Sequence, residues 1–157
     1  MTKSTYFLLL GLLLAAFFAA GPAQPTVAAP ESNAVVGNGT PASCTEANFD
    51  AALVTAHAAG GGNISFDCGG AATIEFTSEK LITNALVTIN GDGKITFSGG
   101  DKVRLFQIGK TGHLLLNDIT LSHGYVGYLQ GGGAILNYGS VSLDNTTIRD
   151  SHTSPGY

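Results

Sequence analysis

The 157-residue chain is weakly charged and acidic, with 7 Lys and Arg, 11 Asp and Glu, 4 His and a formal net charge of −4. Its basic side chains are scattered and form no basic stripe, so we expect no nucleic-acid partner. The 22 glycines, with many Thr, Ser and Asn, favour a β-rich, turn-dense domain over a helical one.

Residues 1–29 have the layout of a secretory signal peptide. Lys3 gives a positive start, Tyr6 to Ala20 is an uninterrupted apolar run, and small residues with prolines follow. The alternative is an uncleaved membrane anchor, but the run is shorter than the ~20 residues that a spanning helix needs. We therefore expect a secreted or cell-surface protein with no membrane span once the signal is removed.

Residues 30–157 are long enough for one domain, and its first large element is predicted to be a helix over 44–59. Ser43 and Glu46 fit a capping box at its start, and three consecutive glycines from Gly60 end it. One face of this helix is apolar at helical spacing. The residues on that face are Phe49, Ala52, Leu53 and Ala56.

The chain has two cysteines, Cys44 and Cys68. A disulfide between them is the natural pairing in an oxidising compartment, and it would contribute about 3 kcal/mol by closing its loop. The alternative is a pair of reduced, buried thiols.

One short pattern returns three times downstream of this loop. Val87-Thr88-Ile89-Asn90, Leu114-Leu115-Leu116-Asn117 and Val141-Ser142-Leu143-Asp144 follow one another at intervals of 27 residues. A second apolar pair follows each, and the first of these comes late, so one turn there is wider. A fixed period built of short alternating strands, with no room for a helix, is typical of a β-solenoid.

We therefore predict an all-β fold, a parallel β-helix with coils over about 63–150 and a helical cap over about 43–60. Each strand would pair with its counterpart one coil away, and equivalent apolar residues would stack in the interior. The cap would cover the exposed first coil. The last coil ends at Ile148 with no second cap, so the chain looks truncated. Either it is part of a longer protein, or its open end associates with another molecule.

Several segments resemble bacterial exported proteins with right-handed parallel β-helices of the pectin-lyase type. Gly39-Thr40-Pro41-Ala42-Ser43-Cys44-Thr45, Phe66-Asp67-Cys68-Gly69-Gly70 and Val103-Arg104-Leu105-Phe106 look like their N-terminal cap and first coils. Gly132-Gly133-Ala134-Ile135 resembles the GGAI element of polymorphic outer-membrane protein repeats. The resemblance implies the right-handed fold and an exported protein. It does not select an activity, because this fold carries lyases, hydrolases and adhesins.

His123 and Asp150 are 27 residues apart, so the repeat predicts that one lies above the other. A carboxylate beside an imidazole orients it as a general base would require, which makes them the candidate catalytic pair. The alternative is an exposed edge without chemistry. No metal site and no cofactor are predicted, since no loop has the dense spacing of carboxylates that a calcium site needs.

Tyr125, Tyr128 and Tyr138 lie in and just after a glycine-rich insertion, 123–133. Their rings could stack on sugars or proteins, or they could simply cover the strands beneath them. The leading hypothesis is a structural or adhesive module that presents an extended face to glycans or surface proteins. The alternative is the N-terminal part of a polysaccharide lyase or glycoside hydrolase whose catalytic coils lie beyond this chain. Activity in this chain alone is uncertain.

Overall fold

The structure is a computed structural model that describes residues 32–127 and 131–154. The signal-peptide prediction for residues 1–29 lies outside the described residues. Within them the chain forms one α-helix, one short 3-10 helix and twelve strands. In chain order these are β1 (Ser32–Gly37), the 3-10 helix (Pro41–Ser43), α1 (Glu46–Ala58), β2 (Gly61–Asp67), β3 (Ala72–Glu75), β4 (Lys80–Ile82), β5 (Leu86–Ser98), β6 (Phe106–Ile108), β7 (His113–Ser122), β8 (Tyr125–Val126), β9 (Ile135–Asn137), β10 (Ser140–Asp144), β11 (Thr147–Arg149) and β12 (His152–Thr153).

The strands form three sheets, and every pairing between them is parallel. The main sheet has the order β1-β2-β5-β7-β10, with β3 also paired to β5 and β11 also paired to β7. The second sheet has the order β4-β6-β9, and the third consists of β8 and β12. Two adjacent parallel strands need a connection that returns the chain to the same end of the sheet. Here the strands of the second and third sheets, with their turns, lie between strands of the main sheet in the sequence and provide this connection.

The 27-residue interval sets the register of the main sheet, as the sequence predicts. Ile89 lies opposite Leu116, and Leu116 lies opposite Leu143. The register between β5 and β7 shifts between Asn90 and Ile95, which confirms that the turn there is wider. The repeat therefore predicts correctly which strands pair and which residues face each other.

The predicted fold class, an all-β right-handed parallel β-helix, is wrong for the residues described. These form a mixed α/β structure with a mostly parallel sheet core, one helix and no closed solenoid. The strands of the second and third sheets are only two or three residues long, and α1 contributes side chains to the same core as the sheets. A periodic apolar pattern fixes strand register, but it does not specify that the strands close into one continuous wall.

The third repeat departs from the predicted stacking as well. Ile89 and Leu116 are fully buried, whereas Leu143 is 45% exposed. The physical reason is position, because β10 is the last strand of the main sheet and no further strand in the described part of the chain covers it.

Aromatic side chains fill the space between helix and sheets. The rings of Phe49 on α1 and Phe97 on β5 have centroids 4.8 Å apart, and Phe76 lies 4.8 Å from Phe97 as well. Phe106 meets Phe97 edge-on at 5.8 Å. Such contacts add to the gain from apolar burial. The predicted apolar face of the helix is confirmed, since Phe49, Ala52, Leu53 and Ala56 are all buried.

The start of α1 differs from the predicted capping box. Thr45 is the N-cap, and its Oγ1 accepts from the backbone N–H of Asn48 at 3.3 Å. Ser43 belongs to the preceding 3-10 helix, where its hydroxyl donates to the carbonyl of Thr40. Glu46 points away from the helix start toward the turn before β4. The N-cap threonine satisfies the first-turn amide, which leaves Glu46 available for a tertiary contact.

The predicted disulfide between Cys44 and Cys68 is present, with the two Cα atoms 5.7 Å apart. It ties Cys44, which precedes the N-cap of α1, to Cys68, which follows the last residue of β2. No helix among the described residues is long and apolar enough to cross a membrane.

Lys80, the first residue of β4, holds the helix against the second sheet. It is 4% exposed, and its Nζ lies 2.6 Å from Glu46 Oε1 and 2.8 Å from Asp50 Oδ1. The ammonium also sits 4.8 Å from the centre of the Phe76 ring, a favourable cation–π geometry. Glu46 in turn accepts hydrogen bonds from the backbone N–H and the hydroxyl of Thr77. A buried ammonium is tolerated here because two carboxylates compensate it.

We expect Lys80→Ala to lower the free energy of unfolding by about 3 kcal/mol, since it leaves the mostly buried Glu46 carboxylate without its cation. Urea denaturation would measure this. Lys94→Ala is the matched control, because the Lys94–Asp92 pair is exposed and exposed pairs contribute little. Equal stability of the two variants would contradict the assigned role of Lys80.

A pH dependence follows from Glu46. Burial raises the pKa of its carboxyl, but hydrogen bonds from Lys80 and Thr77 outweigh it and lower the pKa from 4.5 to about 2. The folded pKa lies below the unfolded one, so the stabilisation is complete above pH 4.5 and is lost as pH falls toward 2. Discounted for partial solvent screening, it amounts to about 2 kcal/mol. Denaturation curves at several pH values should show Glu46→Gln losing less stability than the parent over this interval.

Candidate functional site

The strongest cluster of chemically versatile side chains lies where the main sheet meets the third sheet. Asp101 faces two imidazoles, with its Oδ2 3.3 Å from Nδ1 of His123 and its Oδ1 3.9 Å from Nδ1 of His152. The ring of Tyr125 lies 5.2 Å from that of His152. We call Asp101, His123, Tyr125 and His152 the histidine corner.

Tight turns position these residues. The backbone N–H of Asp101 donates to the carbonyl of His123 at 2.9 Å, and both residues have positive φ, 55° and 53°. Asp and His are among the residues that accept this conformation most readily. Gly99 allows the close approach, because a Cβ there would lie 2.6 Å from the carbonyl oxygen of His123.

The third sheet fixes the other half of the corner. Tyr125 lies opposite His152 in the β8–β12 pair, and the N–H of His152 donates to the carbonyl of Gly124. The Tyr125 hydroxyl shares a 2.5 Å hydrogen bond with Ser154 Oγ. The Tyr125 side chain is therefore held both through its ring, which contacts His152, and through its hydroxyl, which bonds Ser154. This restraint reduces the conformational entropy that the side chain loses when it contacts a ligand.

A shallow depression of about 270 Å³ adjoins the corner. Its charged members are Glu79, Lys102 and Arg104. Arg104 is buried, and its guanidinium donates to Glu79 Oε2 at 2.8 Å and to the carbonyl oxygens of Gly131 and Gly132. This arrangement holds the returning end of the glycine-rich insertion. The remaining lining residues are Val103, Tyr125, Val126 and Gly127; we call the whole the Tyr125 depression.

Lys102 is the exposed cation of this depression. Its backbone N–H donates to the carbonyl of Gly99, so the turn that carries Asp101 also places Lys102. Among the described residues, its ammonium makes no ion pair, whereas Arg104 is neutralised by Glu79. An anionic group on a ligand would meet Lys102 without displacing an internal partner.

The structure places the two residues of the predicted catalytic pair, His123 and Asp150, at the ends of neighbouring paired strands. His123 and Asp150 occupy equivalent positions, since Ser122 and Arg149 just before them are paired and both have positive φ. However, Asp150 accepts from Arg149 Nη1 at 2.7 Å, and the carboxylate that faces His123 is Asp101. The 27-residue interval could not identify Asp101, because that residue lies in the loop leading to the second sheet. The same interval does relate Tyr125 to His152.

Of the three predicted ligand-binding tyrosines the structure describes two, Tyr125 and Tyr138, and these lie in different sheets. Tyr125 lies in the third sheet, whereas Tyr138 follows β9 of the second sheet and is 60% exposed. Tyr128 lies outside the described residues. Their ligand-binding role stays a prediction.

Within the described part of the chain, no group of three or more His, Cys, Asp and Glu side chains could hold a metal ion. Comparison of the chain with protein-family models, with curated proteins and with solved structures finds no match. The functional argument therefore depends on the chemistry of the histidine corner and the Tyr125 depression.

Proposed function

We propose that the chain is an exported surface module that binds glycans, with the Tyr125 depression as its contact site. The observation that carries the proposal is the combination, in one shallow depression, of an aromatic ring held in place and a cation, Lys102, that makes no ion pair with any described residue. Sugar rings present C–H faces that pack on aromatic rings, while their hydroxyl and carboxylate groups need polar partners. Tyr125 supplies the first contact and Lys102 the second.

The charge of the depression favours an acidic glycan. Glu79 and Arg104 neutralise each other, so Lys102 supplies the net charge of the lining. Asp101 faces the two histidines of the adjacent corner. Uronate-bearing oligosaccharides fit this arrangement better than neutral ones, because an ion pair in a partly desolvated depression is stronger than in bulk water. The export signal expected from residues 1–29 supports a location where such polymers occur.

Tyr125→Ala should weaken binding of a uronate oligosaccharide about tenfold, the loss expected for one aromatic contact. Lys102→Ala should weaken it as well and should reduce its dependence on salt. Isothermal titration with acidic and neutral oligosaccharides would measure both effects. Lys110→Ala is the matched control, since Lys110 is exposed but lies outside the depression. Failure of the parent protein to bind any acidic or neutral glycan would refute the proposal.

A second candidate is a carbohydrate-active enzyme, or the N-terminal part of one. The observation in its favour is the Asp101 carboxylate facing the His123 imidazole, an arrangement that orients a general base. If this pair is catalytic, Asp101→Asn should lower turnover of a uronate polymer about a hundredfold, within the range of general-base contributions. Asp150→Asn should leave it unchanged, because Asp150 pairs with Arg149 instead. If the parent chain does not turn over the polymer, the hypothesis that the Asp101–His123 pair is catalytic in this chain is wrong.

A further inference from the structure

Both imidazoles of the histidine corner turn the same ring nitrogen toward one carboxylate. Nδ1 of His123 lies 3.3 Å from Asp101 Oδ2, and Nδ1 of His152 lies 3.9 Å from Asp101 Oδ1. A carboxylate beside one nitrogen of a neutral imidazole attracts the ring proton to that nitrogen. The tautomer that carries its proton on Nδ1 is therefore favoured in both rings.

The opposite nitrogen of each ring, Nε2, is open to a ligand. Among the described residues, Nε2 of neither His123 nor His152 has a hydrogen-bond partner, and the two side chains are 42% and 56% exposed. In the neutral tautomer Nε2 carries a lone pair, so it accepts hydrogen bonds and does not bind an anion. A second proton turns Nε2 into a donor and gives the ring a positive charge. Protonation therefore makes both rings able to bind a carboxylate.

The histidine corner is continuous with the Tyr125 depression. The Tyr125 side chain lines the depression, and its ring lies 5.2 Å from the ring of His152. Its hydroxyl, a further titratable group at this place, bonds Ser154 Oγ. An imidazolium at this distance from an aromatic ring also gains from cation–π attraction. A glycan that packs on Tyr125 therefore lies on the same surface as His152.

The charged groups near the corner give protonation a large effect on its net charge. The Glu75 carboxylate lies beside Gly100, since a Cβ at Gly100 would come within 2.6 Å of Glu75 Oε1. Two ion pairs at the borders of the corner are neutral, Arg149 with Asp150 and Glu79 with Arg104. Outside these pairs, the described residues near the corner contribute two carboxylates, Glu75 and Asp101, and one ammonium, Lys102. The balance is negative with two neutral imidazoles and positive with two imidazoliums.

We propose that the histidine corner is a carboxylate subsite of the glycan-binding surface, which binds its ligand when His123 and His152 are protonated. This inference rests on the proposed function and names the group of the glycan that the corner recognises. A carboxylate stays ionised down to about pH 4, whereas imidazoles change charge between about pH 5 and pH 8. Acidic glycans therefore bind most tightly under mildly acidic conditions, and binding takes up protons because the bound anion stabilises the imidazoliums.

Isothermal titration with a glucuronate tetramer and with its methyl ester tests the subsite. The two ligands have the same rings, but only the tetramer carries carboxylates. The parent protein should bind the tetramer at least about tenfold more tightly at about pH 5.5 than at about pH 8, because the corner gains two positive charges. Binding of the ester should change less than about twofold. Both pH values lie above the range in which the Glu46 contact is lost, so the fold is the same in both titrations.

Two substitutions remove the titrating groups separately. His123→Gln removes one, and His152→Phe removes the other while keeping an aromatic ring beside Tyr125. Each should reduce the gain in tetramer affinity at acidic pH about threefold, and the double variant should lose the gain altogether. Binding of the ester should persist in all of them, which shows that the variants are folded. His113→Gln is the matched control, since His113 is exposed at the opposite end of β7.

Asp101→Asn tests the part that the shared carboxylate plays. It should move the rise in tetramer affinity to lower pH, because the imidazoliums lose their counter-ion. Tetramer binding that is equal at both pH values, or a gain at acidic pH that survives in the double variant, would overturn the subsite and leave the proposed function standing. If the parent protein binds neither the tetramer nor the ester at either pH, the proposed function and the subsite are both wrong.

Discussion

The buried Lys80 ammonium is the contact on which the arrangement of helix and sheets depends. It binds Glu46 and Asp50 on the first two turns of α1 and stands at the first position of β4. The backbone N–H of Lys80 also donates to the carbonyl of Leu105, the residue before β6. Lys80 therefore connects α1 to two neighbouring segments of the second sheet. Removing Lys80 would leave the largely buried Glu46 carboxylate without its cation. This explains why a chain with only 11% charged residues places one of its few lysines in the interior.

The same organisation positions the histidine corner. In the main sheet Ser122, the last residue of β7, pairs with Arg149, the last residue of β11. The next residue of each strand, His123 and Asp150, has a positive φ and ends the strand. Short third-sheet strands follow at once and bring Tyr125 against His152. The paired strands therefore bring His123, Tyr125 and His152 close together. The loop that begins at Gly99 contributes Asp101 and Lys102. A site built in this way combines stable positioning of its side chains with exposure to solvent.

The sequence by itself determined the parallel pairing, its 27-residue register, helix α1 with its apolar face and the disulfide between Cys44 and Cys68. Each of these depends on periodicity, local spacing or compartment chemistry, which a linear pattern carries directly. Only the tertiary structure decided that the sheets do not close into a solenoid, that Glu46 binds Lys80 instead of capping its own helix, and that Asp101 rather than Asp150 faces His123. These contacts join residues from different layers, at separations that no fixed interval encodes. A repeat specifies which residues stack along one direction, whereas contacts across the stack depend on how the turns bend between the sheets.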